Sequence, residues 1–302
     1  MEKQWGDEQV LVTRYGIVLR AFVVALVVLS VSGCGGDDSP TSPAVDLKKN
    51  RERWVLPLDE FHGLNYSISD YAEALLIEEC MERDGFAYPT GEAKRMDSPP
   101  SPTENDVYRS LFDVEIAQQF GYGGPPVEPR TASLTPQELA ALESPAGQDA
   151  FDRCVEEARK ELPLPPDRGL VESLTSASYN AAIEKPEVRK AAEKWRDCMA
   201  SAGISDLPAT PEEMPTDSLR TLWGESVQGE DPTYRPPSPN EIDVAVQDAN
   251  CQESSGFAQA LYDTEWEIQV EMLADNEDGL MRLKAANERH ADLVEQVLTA
   301  RG

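Results

Sequence analysis

Leu75-Leu76-Ile77-Glu78-Glu79-Cys80-Met81-Glu82-Arg83-Asp84-Gly85-Phe86 returns later in the chain as Glu193-Lys194-Trp195-Arg196-Asp197-Cys198-Met199-Ala200-Ser201-Ala202-Gly203-Ile204. Cys, Met and Gly recur at one common offset, an apolar residue follows each Gly, and a proline stands soon after (Pro89, Pro208). Ile77 and Met81 have helical spacing, as do Trp195 and Met199, which puts each pair on one helix face. Gly85 and Gly203 fall where a helix ends in a left-handed residue, a conformation that glycine takes without steric cost. The repeat predicts two related helical units.

Each unit then reaches a second cysteine on another helix. Ser238-Pro239-Asn240-Glu241, ahead of Cys251, is a capping box with proline at the first helical position, and Ile242, Ala245, Val246 and Ala249 supply its buried stripe. Thr135-Pro136-Gln137-Glu138, ahead of Cys154, is the same device, and Ser144-Pro145-Ala146-Gly147 interrupts and restarts the helix. Phe151, Cys154, Val155 and Ala158 then share a face. Pro186 fits the first turn of the helix in which Val188, Ala192, Trp195, Met199 and Ala202 keep helical spacing. From Phe257 to Ala300 there is no proline, which predicts a long C-terminal helix, with a candidate break at Asp275-Asn276-Glu277-Asp278-Gly279. Leu273, Leu280, Leu283, Val294 and Val297 line its seam, interrupted by Asn276, Asn287 and His290. Such a seam fits a helix packed on its own domain better than a partner-facing coiled-coil arm, where buried Asn sets register.

The N-terminal stretch Arg20-Ala21-Phe22-Val23-Val24-Ala25-Leu26-Val27-Val28-Leu29-Ser30-Val31-Ser32-Gly33-Cys34 resembles the signal and lipobox of bacterial lipoproteins. There, cleavage falls before a cysteine that already carries a diacylglyceryl group. The apolar run is too short for a transmembrane helix, which needs about 20 residues, so a removed signal is preferred to an uncleaved anchor. The expected organisation is a signal peptide over 1–33, a flexible tether over 34–52, a first helical unit over 53–164 and a second over 165–302 with the long helix. Gly35 to Pro43 is polar and helix-hostile, as a tether requires. Lipidation at Cys34 makes the membrane a partner of the chain.

Of the five cysteines, Cys80, Cys154, Cys198 and Cys251 remain. An even number in an exported chain favours disulfides. Two pairings respect the repeat, Cys80–Cys154 with Cys198–Cys251, or Cys80–Cys198 with Cys154–Cys251. The first is preferred because it staples each unit across its own proline-rich loop. Long loops around Ser98–Pro102, Pro125–Pro129 and Pro232–Pro239 cannot form ladders or helices and need such a restraint. The expected fold class is therefore mainly α, with two related disulfide-stapled units.

The lipobox, the two Cys-Met-x-x-x-Gly motifs, Ala117-Gln118-Gln119-Phe120-Gly121-Tyr122-Gly123 and Asp248-Ala249-Asn250-Cys251 together resemble uncharacterised actinobacterial lipoproteins. That resemblance spans most of the mature chain and implies a surface-anchored protein that accompanies exporter components; it implies no activity.

The 302 residues hold 27 basic against 56 acidic side chains, a formal net charge of −29. A field of that sign opposes nucleic acid and anionic lipid headgroups, and no nucleic-acid partner is expected. Searches for chemistry find little. No G-x-S-x-G elbow, S-x-x-K or H-E-x-x-H occurs, and the acidic run at Asp275 places alanines at both ends of an EF-hand loop. With only His62 and His290 available, a His/Cys metal site is poorly provisioned. His62 is a general base only in principle, and Trp54, Trp195, Trp223 and Trp266 are candidates for stacking on sugars, with Trp195 assigned to the core. The expectation is a non-catalytic envelope module with no cofactor, no metal and an envelope protein as partner. A wall hydrolase using paired carboxylates in a groove between the units, or a solute-binding lipoprotein, is the alternative.

Overall fold

The structure is a computed structural model in which residues 48–90, 101–105, 107, 109–125, 134–224 and 236–301 are described. The expected signal peptide, Cys34 and the tether up to residue 47 lie outside the described residues, as do parts of the three proline-rich stretches. The described residues form ten α-helices and no strand, with only isolated bridges joining Asn50 to Val55 and Glu104 to Ser110. The helices are α1 (Tyr66–Arg83), α2 (Val114–Phe120), α3 (Pro136–Leu142), α4 (Pro145–Glu161), α5 (Gly169–Ile183), α6 (Pro186–Met199), α7 (Asp217–Trp223), α8 (Pro239–Ser255), α9 (Phe257–Asp275) and α10 (Glu277–Arg301). None of them is long and apolar enough to cross a membrane.

Local chemistry sets the helix ends. Thr135 and Ser238 both form capping boxes, with Glu138 and Glu241 returning the hydrogen bond, and Ser144 caps α4 after the interruption at Pro145. The repeat is also geometric. Helix α1 stops at Arg83 and Gly85 takes φ +83°; α6 stops at Met199, passes through a 3-10 turn over Ala200–Ala202, and Gly203 takes φ +69°. Both glycines stand in open space, so the left-handed backbone alone requires them.

Disulfides join Cys80 to Cys154 and Cys198 to Cys251, with Cα atoms 5.5 and 5.7 Å apart. Around the first, Ala72, Leu76, Ile77 and Met81 of α1 pack on Ala150 and Ala158 of α4, and Val294 and Val297 of α10 complete the cluster. Beside the second, Trp195 and Met199 of α6 bury against Cys251 of α8 under Ile204, Leu207 and Met214.

The stapled pairs share one body. Val45–Gly302 is a single compact unit, in which α2 packs on α8 and α10 packs on α1. The boundary drawn at 164/165 therefore marks the sequence duplication and not a gap between folded bodies. The C-terminal segment breaks at Asn276, whose N–H bonds back to the Met272 and Leu273 carbonyls. Its polar seam faces the protein's own interior. Asn287 Nδ2 donates to the Phe61 carbonyl at 2.8 Å, and His290 Nε2 lies 3.0 Å from the Ser69 hydroxyl.

A buried polar network fixes the N-terminal loop and the 103–124 segment onto α9. Arg109 donates both guanidinium nitrogens to fully buried Glu265, each at 3.1 Å. Gln269, also fully buried, accepts from Leu58 N at 3.0 Å and donates to Ser178 Oγ at 3.0 Å. Bidentate geometry offsets much of the cost of removing two charges from water.

Candidate functional site

A cavity of about 680 Å³ opens between the 103–124 segment, the turn at Pro211–Pro215, α8 and the start of α9. Asp248 is its chemical centre. It stands on the same inward stripe as Ala245 and Ala249 and is 1 % exposed. Its Oδ1 accepts from the Trp195 indole at 2.7 Å and from Gln252 Nε2 at 3.0 Å; its Oδ2 accepts from the Tyr122 hydroxyl at 2.9 Å. Burial nonetheless holds the Asp248 carboxyl above the ordinary carboxylate range, the three donors opposing it. Tyr122 is pushed up in turn, by burial first and then by the Asp248 charge.

A second acid, Glu212, borders the same cavity. Its side chain meets solvent but sits on a concave wall surrounded by protein. That desolvation raises its pKa, and the Asp248 charge adds to the rise. Tyr179, across the cavity, is pushed up to about 12 by burial and by the Glu212 and Glu265 charges.

Aromatic faces make up much of the remaining wall. Tyr122 stacks between Phe112, at 5.4 Å between ring centroids, and Trp223, at 5.9 Å. Trp54 reaches the cavity from a backbone at φ +46°, a conformation that costs a β-carbon-bearing residue on the order of 1–3 kcal/mol and is found where surroundings enforce it. The network around Asn105 supplies that enforcement, since Asn105 Nδ2 holds the Trp54 carbonyl at 3.2 Å. The buried Trp54 indole N–H meets no partner in hydrogen-bonding geometry, yet lies near enough to Glu265 to favour its charged form.

Two stretches read from the sequence converge here, because Tyr122 lies in Ala117–Gly123 and its hydroxyl bonds Asp248 of Asp248–Cys251. Trp195 is buried in the core as expected, but its indole nitrogen also serves the site. Arg109 and Glu212 were not legible, since each comes from a distant loop; Trp54, named as a stacking candidate, does border the cavity. An acid on the buried stripe of the α8 helix was the available signal for Asp248.

The other candidates fall elsewhere. His62 is half-buried with Nε2 unpartnered, and burial followed by the Arg168 charge lowers its pKa. Ser69 and His290 form a buried hydroxyl–imidazole pair, but neither borders the cavity. Cys80, Asp84 and Cys154 bring ligand-type atoms within 4.8 Å of one another. The two sulfurs are bonded together, so no thiolate is left to bind a metal there. Compared with known protein families, curated proteins and solved structures, the chain matches none.

Proposed function

We propose that the chain is an extracytoplasmic lipoprotein, held to the cell membrane through lipid on Cys34, and that it serves as a non-catalytic binding or assembly module at the envelope. The aromatic-walled cavity around Asp248 carries the binding part of this reading. Its size falls in the range of small-molecule sites, and its few convergent polar groups suit recognition. Two disulfides support an oxidising compartment. An envelope protein such as an exporter component is the partner proposed for the assembly role.

Labelled palmitate fed to cells tests the anchor: wild-type chain takes up label and Cys34→Ala does not. Unlabelled wild type recovered in the cytosol with reduced cysteines overturns the reading. Crosslinking in intact cells followed by pull-down tests the module, and a dominant envelope protein is the expected product.

One observation favours a second reading, a wall-active hydrolase. Asp248 and Glu212 share the cavity and both are held above the ordinary carboxylate range, as a general acid requires. Incubation with purified peptidoglycan decides it: fragments that disappear in Asp248→Asn and Glu212→Gln support hydrolysis. A solute-binding lipoprotein built from alternating strands and helices draws no support from the described residues, which contain no strand.

A further inference from the structure

We propose that the cavity receives an organic ammonium group, seated against Asp248 and Glu212 and walled by aromatic faces. This inference deepens, and rests on, the reading of the chain as a binding module.

The argument starts from an uncompensated charge. Asp248 accepts three hydrogen bonds, and all three donors are neutral: an indole, a phenol and a carboxamide. Among the described residues no ion pair reaches it. Hydrogen bonds from neutral groups offset part of the cost of burying a carboxylate, and a cation offsets more. Protein cations nearby are engaged elsewhere. Arg109 borders the cavity but is committed to buried Glu265 by two 3.1 Å bonds, and Arg220 donates its Nε to the Pro215 carbonyl at 3.1 Å. Glu212 and Glu104 add two more acids to the wall.

The aromatic lining answers the same chemistry. Phe112, Trp54, Tyr179 and Phe257 border one space, and ring faces attract desolvated cations by about 0.5–2 kcal/mol each; Tyr122, its ring stacked between Phe112 and Trp223, contributes its hydroxyl to Asp248 instead. An anion would meet Asp248 and Glu212 without a free guanidinium to balance them. A neutral ligand would leave the buried charge as it stands.

The duplicated pair carries no acid at the matching positions. Asp248 stands three residues ahead of Cys251, and Trp195 three ahead of Cys198; the same positions ahead of Cys154 and Cys80 hold Phe151 and Ile77. Ile77 belongs to a buried apolar cluster, and Phe151 packs against that cluster. One stapled pair thus carries apolar residues at these positions, and in its copy the acid borders the cavity.

Binding of choline, tetramethylammonium and N-acetyl-lysine-amide to the full chain, read by isothermal titration and tryptophan fluorescence, tests the inference. The uncharged choline isostere 3,3-dimethylbutanol, acetate and glucose are the controls. Saturable binding of at least one ammonium probe, ten-fold or more tighter than the isostere, is expected. Preference for the lysine derivative assigns the group to a protein side chain, and preference for choline to a free small molecule. Glu212→Gln, at the open wall, and Asp248→Asn, which keeps an acceptor for Trp195, should each weaken binding at least ten-fold with the helical circular dichroism unchanged. Equal affinity for the isostere, tighter binding of acetate or glucose, unchanged affinity in folded Glu212→Gln, or no saturation by any ammonium probe below roughly 1 mM overturns it. Those failures leave partner capture by crosslinking intact, so they are distinguishable from failure of the module reading.

Discussion

In the α1–α4 pair, both cysteines are buried and the residues three ahead of them, Ile77 and Phe151, belong to or pack against one apolar cluster; in the α6–α8 pair, Cys198 is exposed and the matching residues, Trp195 and Asp248, are hydrogen-bonded to each other. The surroundings differ accordingly. Around the first pair, ionic contacts are peripheral: Arg83 with Glu157, Arg153 with Asp84 and Arg301 with Glu79 and Glu161. Beside the second lies a concave wall with a desolvated acid. The first pair has apolar residues at these positions, and the second has a polar contact, which costs stability unless it is fully partnered.

The sharpest test of that contrast is bridge removal. Cys80→Ala/Cys154→Ala should cost about 4 kcal/mol from loop closure alone, and more because both sulfurs fill core space. Cys198→Ala/Cys251→Ala, across a shorter loop and with one sulfur at the surface, should cost less; equal urea midpoints for the two would break the comparison. Next in size, Asp248→Ala strands the Trp195, Gln252 and Tyr122 donors and should cost about 1–3 kcal/mol, measured by the same melts.

A smaller effect has opposite sign in the two regions. Asp248 and Glu212 have folded pKa values raised above their unfolded ones. The folded state therefore holds their protons more tightly, and the stability they contribute is full at low pH and lost as pH rises through the folded pKa. Glu79, held below its ordinary value chiefly by its hydrogen bond from Arg301, contributes stability above the carboxylate range that is lost as pH falls. Asp248→Asn should flatten the decline on the rising side, and stability measured from pH 3 to 8 (a span of roughly 5 units around the ordinary carboxylate values) reads it. Smallest of all, Arg83→Ala removes an exposed ion pair and should leave the urea midpoint within scatter.

What the sequence disclosed was local or duplicated. Thr135 and Ser238 signal their caps within four residues, and Gly85 and Gly203 signal their turns by recurring after Cys-Met. The duplication left two cysteine pairings, and the proline-rich loop inside each unit favoured the one observed. The cavity was not legible because its wall is assembled from Trp54, Arg109, Tyr179 and Glu212, residues that meet only through α9 and the loop that Arg109 pins to it. A sequence repeat carries no record of α2 crossing to α8 or of α10 returning to α1.

That return of α10 orders how the molecule can be made. Val294 and Val297, within the last ten residues, fill the same apolar cluster as Cys80 and Cys154. A chain emerging from its amino end can oxidise its first staple early, yet the helices so joined stay uncovered until the final turns arrive. The cluster around the first staple is thus completed only when the final turns fold against it.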